Sequence, residues 1–303
     1  MWFWLSIIAI IFWSGSDLFS KMGSKSSDKL SHWKIVIAVG GVMGIHAVIE
    51  IINGVPFKFS YMLTYLPASA LYILSMILGY VGLRYIELSV STPVCNSSGA
   101  VACILFLLTG EKLSALQAVG IILIVIGVVS LAWYERKTDD RIKLQKTNKK
   151  YTHSIIAITF PILYCIIDAL GTFADSIIIN GLDGKSGQLT EDSANVAYEL
   201  TFLAMAIFAV FYIILNRKKY NVKLSVKSDL PKLVGGVFET AGQVAYINAI
   251  SEKAVTAAPL ISSYCIFSVV WARLILKEKL KPFQYAVIAL AVAGIVILGM
   301  NDA

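Results

Sequence analysis

Stretches of about twenty apolar residues recur along the whole 303-residue chain, and nothing else in it constrains the fold as strongly. Twenty residues of α-helix, rising 1.5 Å each, cross the ~30 Å hydrocarbon core of a bilayer. Backbone N–H and C=O groups find no water there, so each such stretch must satisfy them internally as a helix. The alternating ten-residue segments of a membrane β-barrel do not occur. Ten spans are predicted, over residues 2–22, 34–53, 62–84, 90–109, 116–134, 154–180, 194–215, 231–251, 255–276 and 283–300. The expected fold class is an all-α membrane protein with ten transmembrane helices.

The first stretch, Trp2 to Met22, is too long for the apolar region of a signal peptide and lacks a basic start, so it reads as a retained helix. Only 15% of residues are charged, against roughly 25% in soluble domains, too few to coat a globular surface. The net charge of +7 does not mark a nucleic-acid partner, because the basic residues sit in short loops between spans. Cys95, Cys103, Cys165 and Cys265 all fall inside predicted spans with no C-x-x-C spacing. They read as small buried thiols; no metal, disulfide or cofactor is expected.

Orientation follows from the loops. Those after spans 1, 5, 7 and 9 carry twenty Lys and Arg, whereas those after spans 2, 4, 6 and 8 carry Lys58, Lys112, Lys185 and Lys253. Basic loops stay in the cytoplasm. Both termini are therefore expected on the outer side of a cell (inner) membrane.

The chain also repeats itself. Tyr80 precedes Pro93 by thirteen residues, and Tyr246 precedes Pro259 by the same number. Glu111-Lys112-Leu113, Gln117 and Gly127 recur as Glu278-Lys279-Leu280, Gln284 and Gly294 at identical spacing. Residues 1–134 and 154–303 thus form two five-span units joined by a basic cytoplasmic linker, 135–153. Five is odd, so the second unit must lie inverted relative to the first. Inverted repeats are a transporter architecture with the substrate site near the midplane.

These residues resemble a known family. FWSGSDLFSK (12–21) is similar to the opening helix of EamA-type members of the drug/metabolite transporter superfamily. EKLSALQAVGIILIVIGVV (111–129) and EKLKPFQYAVIALAVAGIVI (278–297) look like that family's repeat-ending signature. The resemblance implies a central cavity lined by helices 1–4 and 6–9, and alternating access. It also implies that helices 5 and 10 stand apart, at a homodimer contact. It implies no particular substrate, since the family's substrates range from amino acids to drugs.

A charge at the bilayer centre is costly, so intramembrane acids are candidates for function. On span 6, Tyr164, Asp168, Thr172 and Asp175 share one helical face. The repeat sets Asp168 against Asp17 and Tyr164 against Trp13: an aromatic one turn before a carboxylate in both halves. Lys21, four residues after Asp17, offers that acid a plain ion pair instead. On span 8, Glu239, Gln243 and Tyr246 form a second stripe. Its bland reading is a protonated structural glutamate. His46 and Glu50 pair at i, i+4 on span 2, and Glu199 near the end of span 7 reads as solvated.

Trp13, Tyr72, Tyr80, Tyr164, Tyr246 and Tyr264 lie within spans, where aromatic faces can hold ammonium groups or simply pack. Trp2, Trp4 and Trp271 read as interface anchors. Asn96, Ser97, Ser98, Ser262 and Ser263 follow the two prolines and face either the cavity or a neighbouring helix. Pro93 and Pro259 themselves read as markers of helix starts.

The candidate substrate-binding set is Asp168, Glu239, Tyr164, Gln243, Tyr246, Trp13, Tyr72, Tyr80, Asn96 and Tyr264, with Asp168, Glu239, Asp17 and Glu50 as proton-coupling candidates. Acids outnumber bases at mid-span. The function expected is a secondary carrier of a small organic solute, preferably an amine or quaternary ammonium compound. A carrier of neutral or zwitterionic metabolites is the alternative. A membrane enzyme lacks its constellation, ATP-driven transport lacks a phosphate loop, and paired repeats argue against a passive channel or scramblase.

Overall fold

A computed structural model describes residues 1–24, 28–82, 94–145, 154–182, 186–220, 226–275 and 280–300. Pro93, Arg84, residues 146–153 of the basic linker and Glu278-Lys279 lie outside these residues, while the linker's first part, expected as a loop, continues a helix as far as Gln145. Ten α-helices and no strand occur among them: α1 (Trp2–Gly23), α2 (Ser31–Ile52), α3 (Phe59–Gly82), α4 (Ser98–Leu108), α5 (Ala115–Gln145), α6 (Ser154–Asn180), α7 (Glu191–Tyr220), α8 (Val226–Ile261), α9 (Tyr264–Leu274) and α10 (Pro282–Met300). Six are long and apolar enough to cross a membrane alone, and the bent pair α8–α9 makes a seventh.

The expected continuous ninth span, 255–276, is instead divided. α8 breaks at Lys253 (φ −161°, ψ 73°), resumes to Ile261, and bends by 43° into α9 across Ser262-Ser263. Pro259 therefore lies inside a helical piece rather than at its start. Having no N–H, it removes one bond from the helical ladder just before the turn. Ser263 then donates both its hydroxyl, at 2.6 Å, and its backbone N–H, at 3.0 Å, to the Leu260 carbonyl, which fixes the turn. A similar turn at Asn96-Ser97 precedes α4, which is only 11 residues long.

The helices associate mainly in pairs: α1 with α8, α3 with α6, α2 with α7, and α5 with α10. Lighter contacts join α2 to α8, α3 to α7, α1 to α9 and α4 to α6. The outward faces carry exposed large apolar residues such as Ile122, Phe211 and Leu215, as expected of surfaces meeting lipid. α7 begins with Glu191 and Asp192 and ends with Arg217, Lys218 and Lys219, a charge order that suits the helix dipole.

Close packing of α2 on α7 depends on Gly40. A Cβ there would lie 2.6 Å from the Phe202 carbonyl oxygen and 2.7 Å from Ala206 Cβ. Gly41, one residue on, has open space around it. Gly40→Leu is therefore expected to cost about 1–3 kcal/mol or more through overpacking, seen as a lower unfolding midpoint. Gly41→Leu should leave that midpoint nearly unchanged.

Several charged and aromatic residues sit differently from the sequence expectation. Lys34 and Lys232, counted among the basic loops, are buried. Lys34 pairs with Asp28 at 2.8 Å and Asp229 at 3.7 Å, and Lys232 pairs with Asp229 at 2.7 Å. Glu199 is not solvated but fully buried between α2 and α7. There His46 Nδ1 approaches it at 2.9 Å and Asn195 Nδ2 donates to it at 3.1 Å. Trp2 is buried rather than at an interface, with Lys253 Nζ 6.0 Å from its ring centroid. Trp271 is tied inward, its indole N–H donating to Ser14 Oγ at 3.0 Å. In each case helix pairing covers a residue that single-helix periodicity leaves facing outward.

Candidate functional site

A central cavity lies where α1, α3, α6 and α8 meet the turns before α4 and α9. Each helix brings one polar stripe to it. α1 supplies Trp13, Ser16 and Asp17; α3 supplies Tyr72 and Tyr80; α6 supplies Tyr164, Asp168 and Thr172; α8 supplies Glu239, Gln243 and Tyr246. Asn96 and Tyr264 enter from beside the two turns. All ten substrate-binding candidates, and Asp17, thus share one wall. Glu50 does not: it lies on α2, 3.8 Å from His46 Nε2. α2 lines none of the described cavity, against the expectation of helices 1–4, because its inner face is spent on α7 and α8.

Hydroxyl donors hold the carboxylates in place. Ser98 Oγ donates to Asp168 Oδ2 at 2.8 Å, and Ser75 Oγ lies 3.2 Å from Oδ1. Ser268 Oγ of α9 lies 3.1 Å from Asp17 Oδ2, so that acid reaches across to the second half of the chain. Glu239 shares the cavity lining with Ser16 and Asp17. Trp13 donates its indole N–H to the Glu239 backbone carbonyl at 3.3 Å.

Aromatic rings close the space around these acids. The Trp13 ring lies 4.9 Å from Tyr246 and 5.8 Å from Tyr264, measured between centroids. Gly242 allows this approach: a Cβ there would come within 2.7 Å of Trp13 Nε1. No Lys, Arg or His is among the described residues that line the cavity.

Asp175, on the same stripe of α6, stands behind the wall rather than in it. Tyr65 donates to its Oδ1 at 2.6 Å, and the Tyr72 hydroxyl lies 3.4 Å from Oδ2 while also meeting the Tyr246 hydroxyl. Sequence reasoning missed Tyr65, although its seven-residue spacing to Tyr72 puts both on one face of α3. It also missed Tyr198 of α7, which lines the cavity and points its hydroxyl at Met76 Sδ, 3.2 Å away. Asn195, Glu199 and Phe202 at helical spacing were the only hint that this face is buried.

Comparison with known proteins fits this architecture. Residues 186–300, taking in α7 to α10, match the EamA-like transporter family. Over those residues the chain is similar to the EamA-like transporters. No curated protein matches it in sequence. A solved structure described only as "Crystal structure of protein" aligns with a TM-score of 0.66, covering 99% of this chain and 96% of that one. Identity is 14%, so the likeness concerns the fold alone. The apolar helices are those of a multi-pass membrane protein, and the central cavity has the form of a small-molecule site.

Proposed function

We propose that the chain is a secondary carrier for small organic cations, amines or quaternary ammonium compounds, working by alternating access. One observation carries this reading: Asp17, Asp168 and Glu239 share a cavity walled by Trp and Tyr, with no described basic residue among its lining. Carboxylates attract an ammonium group, and aromatic faces hold it by cation–π contact. An anion would meet only repulsion.

The pairing of helices supports two inverted five-helix repeats. Exchanging each helix with the one five places along turns α1–α8 into α6–α3, and α1–α9 into α6–α4. The pairs α2–α7 and α5–α10 map onto themselves. Broken helices before α4 and α9 meet at the centre of such an arrangement, as in carriers whose repeats rock about a midplane site. Proton coupling would run through Asp168 or Glu239. Both termini lie outside and the basic loops lie inside.

The test is exchange in proteoliposomes. Vesicles loaded with tetramethylammonium or ethylammonium should drive saturable uptake of the labelled ion. Flux that rises linearly without saturation would mean a channel; no flux with any amine would remove the cation reading. For orientation, a phosphatase fused after Ala303 should be active outside the cytoplasm. Activity of cytoplasmic fusions only would reverse the topology.

Gly242→Ala sharpens the role of the aromatic wall. The added methyl must push the Trp13 indole away from Tyr246 and Tyr264. Tetramethylammonium binding is expected to weaken about tenfold, the scale of one desolvated cation–π contact. Unchanged affinity would take Trp13 out of the site.

A further inference from the structure

Two polar groups at the cavity have no partner among the described residues: the side-chain amide nitrogen of Gln243 and the hydroxyl of Tyr80. Both residues are more than nine-tenths buried, with 3% and 7% exposed. Their neighbours differ. Asp168 has Ser75 and Ser98, Trp13 has the Glu239 carbonyl, and Tyr72 has Asp175. A buried donor left unmade is among the costlier defects a protein keeps, and it ordinarily marks a water or a ligand.

Position narrows what the partner can be. Gln243 stands one turn after Glu239 on the same face of α8, so their Cβ atoms are about 5–6 Å apart. A cation held by Glu239 would bring a group two or three bonds away from its nitrogen against the Gln243 amide. The amide nitrogen only donates, so that group must accept. It must also be uncharged, because a second anion would sit among Asp17, Asp168 and Glu239 with no described lining cation to offset it.

Building on the cation reading above, we propose that the cavity selects organic cations carrying a neutral acceptor oxygen two or three bonds from the charged nitrogen: amino alcohols and their N-methylated forms. Glu239 and Asp168 take the charge, and Gln243 and Tyr80 read the oxygen.

Three probes of nearly equal size test it on the purified full-length chain. Choline has the hydroxyl, propyltrimethylammonium replaces it by a methyl, and glycine betaine has a carboxylate in place of the CH2OH group. Choline is expected to bind about tenfold tighter than propyltrimethylammonium, because a site built to bond a hydroxyl rejects the analogue without it. Glycine betaine should bind more weakly than either. In Gln243→Met the choline preference should fall towards unity, and in Tyr80→Phe it should shrink. Equal affinity for choline and propyltrimethylammonium in the native chain overturns the proposal while leaving the cation reading intact. Binding of neither removes both. A tenfold preference surviving in both variants would overturn the assignment to Gln243 and Tyr80.

Discussion

A chain carrying both Asp168→Asn and Glu239→Gln is expected to bind tetramethylammonium about a hundredfold more weakly, or worse, than the native protein. The two acids stand on α6 and α8 and face the same space. Interactions with a charged group contribute about 1.5–3 kcal/mol each, so removing two costs at least two orders of magnitude in affinity. The amides keep the shape of the acids, so packing stays comparable. Stability should hold or rise, because buried carboxylates cost free energy that binding sites tolerate for function. Titration of the variant by calorimetry, beside its unfolding midpoint, separates the two effects. A folded variant with native affinity would sink the role given to these acids.

The second large effect concerns stability. His46→Leu should destabilise the fold by about 1–3 kcal/mol, since it leaves the buried Glu199 without its nearest hydrogen-bond partner. Glu199 is fully buried, His46 Nδ1 lies 2.9 Å from it, and Asn195 supplies only a neutral donor. Replacing both residues, His46→Leu with Glu199→Leu, should recover most of that loss, because exchanging both hydrogen-bond partners for apolar groups of similar shape leaves no buried polar atom unpaired. Thermal unfolding of the two variants in detergent decides it. If the double variant were no more stable than the single one, the penalty would come from lost packing between α2 and α7 rather than from an unpaired buried polar group.

The sequence made some of this legible and hid the rest for physical reasons. Long apolar runs report the helices directly, so α1, α2, α3, α6, α7 and α10 fall close to the predicted spans. Stripes at steps of three and four residues report which side chains share a face. That is why Tyr164 with Asp168, and Glu239 with Gln243 and Tyr246, could be grouped before any fold was known. Periodicity does not report which helix a face meets. Glu199 and Trp271 were misplaced for that reason: each is covered by a helix far away in sequence. The turn at Ser262-Ser263 was hidden as well, because its serines and proline read equally well as a helix start. Tyr198 and Tyr65 were overlooked because a lone tyrosine in a span gives no sign of pairing across the bundle.

The most direct test of the central claim is thermal stabilisation of the purified protein by matched small solutes. A ligand of the folded state raises its melting point by mass action. Tetramethylammonium and choline should raise it, tert-butanol and acetate should not, and the Asp168→Asn/Glu239→Gln variant should lose the response. Stabilisation by neutral or anionic solutes alone, with no response to either cation, would contradict the account.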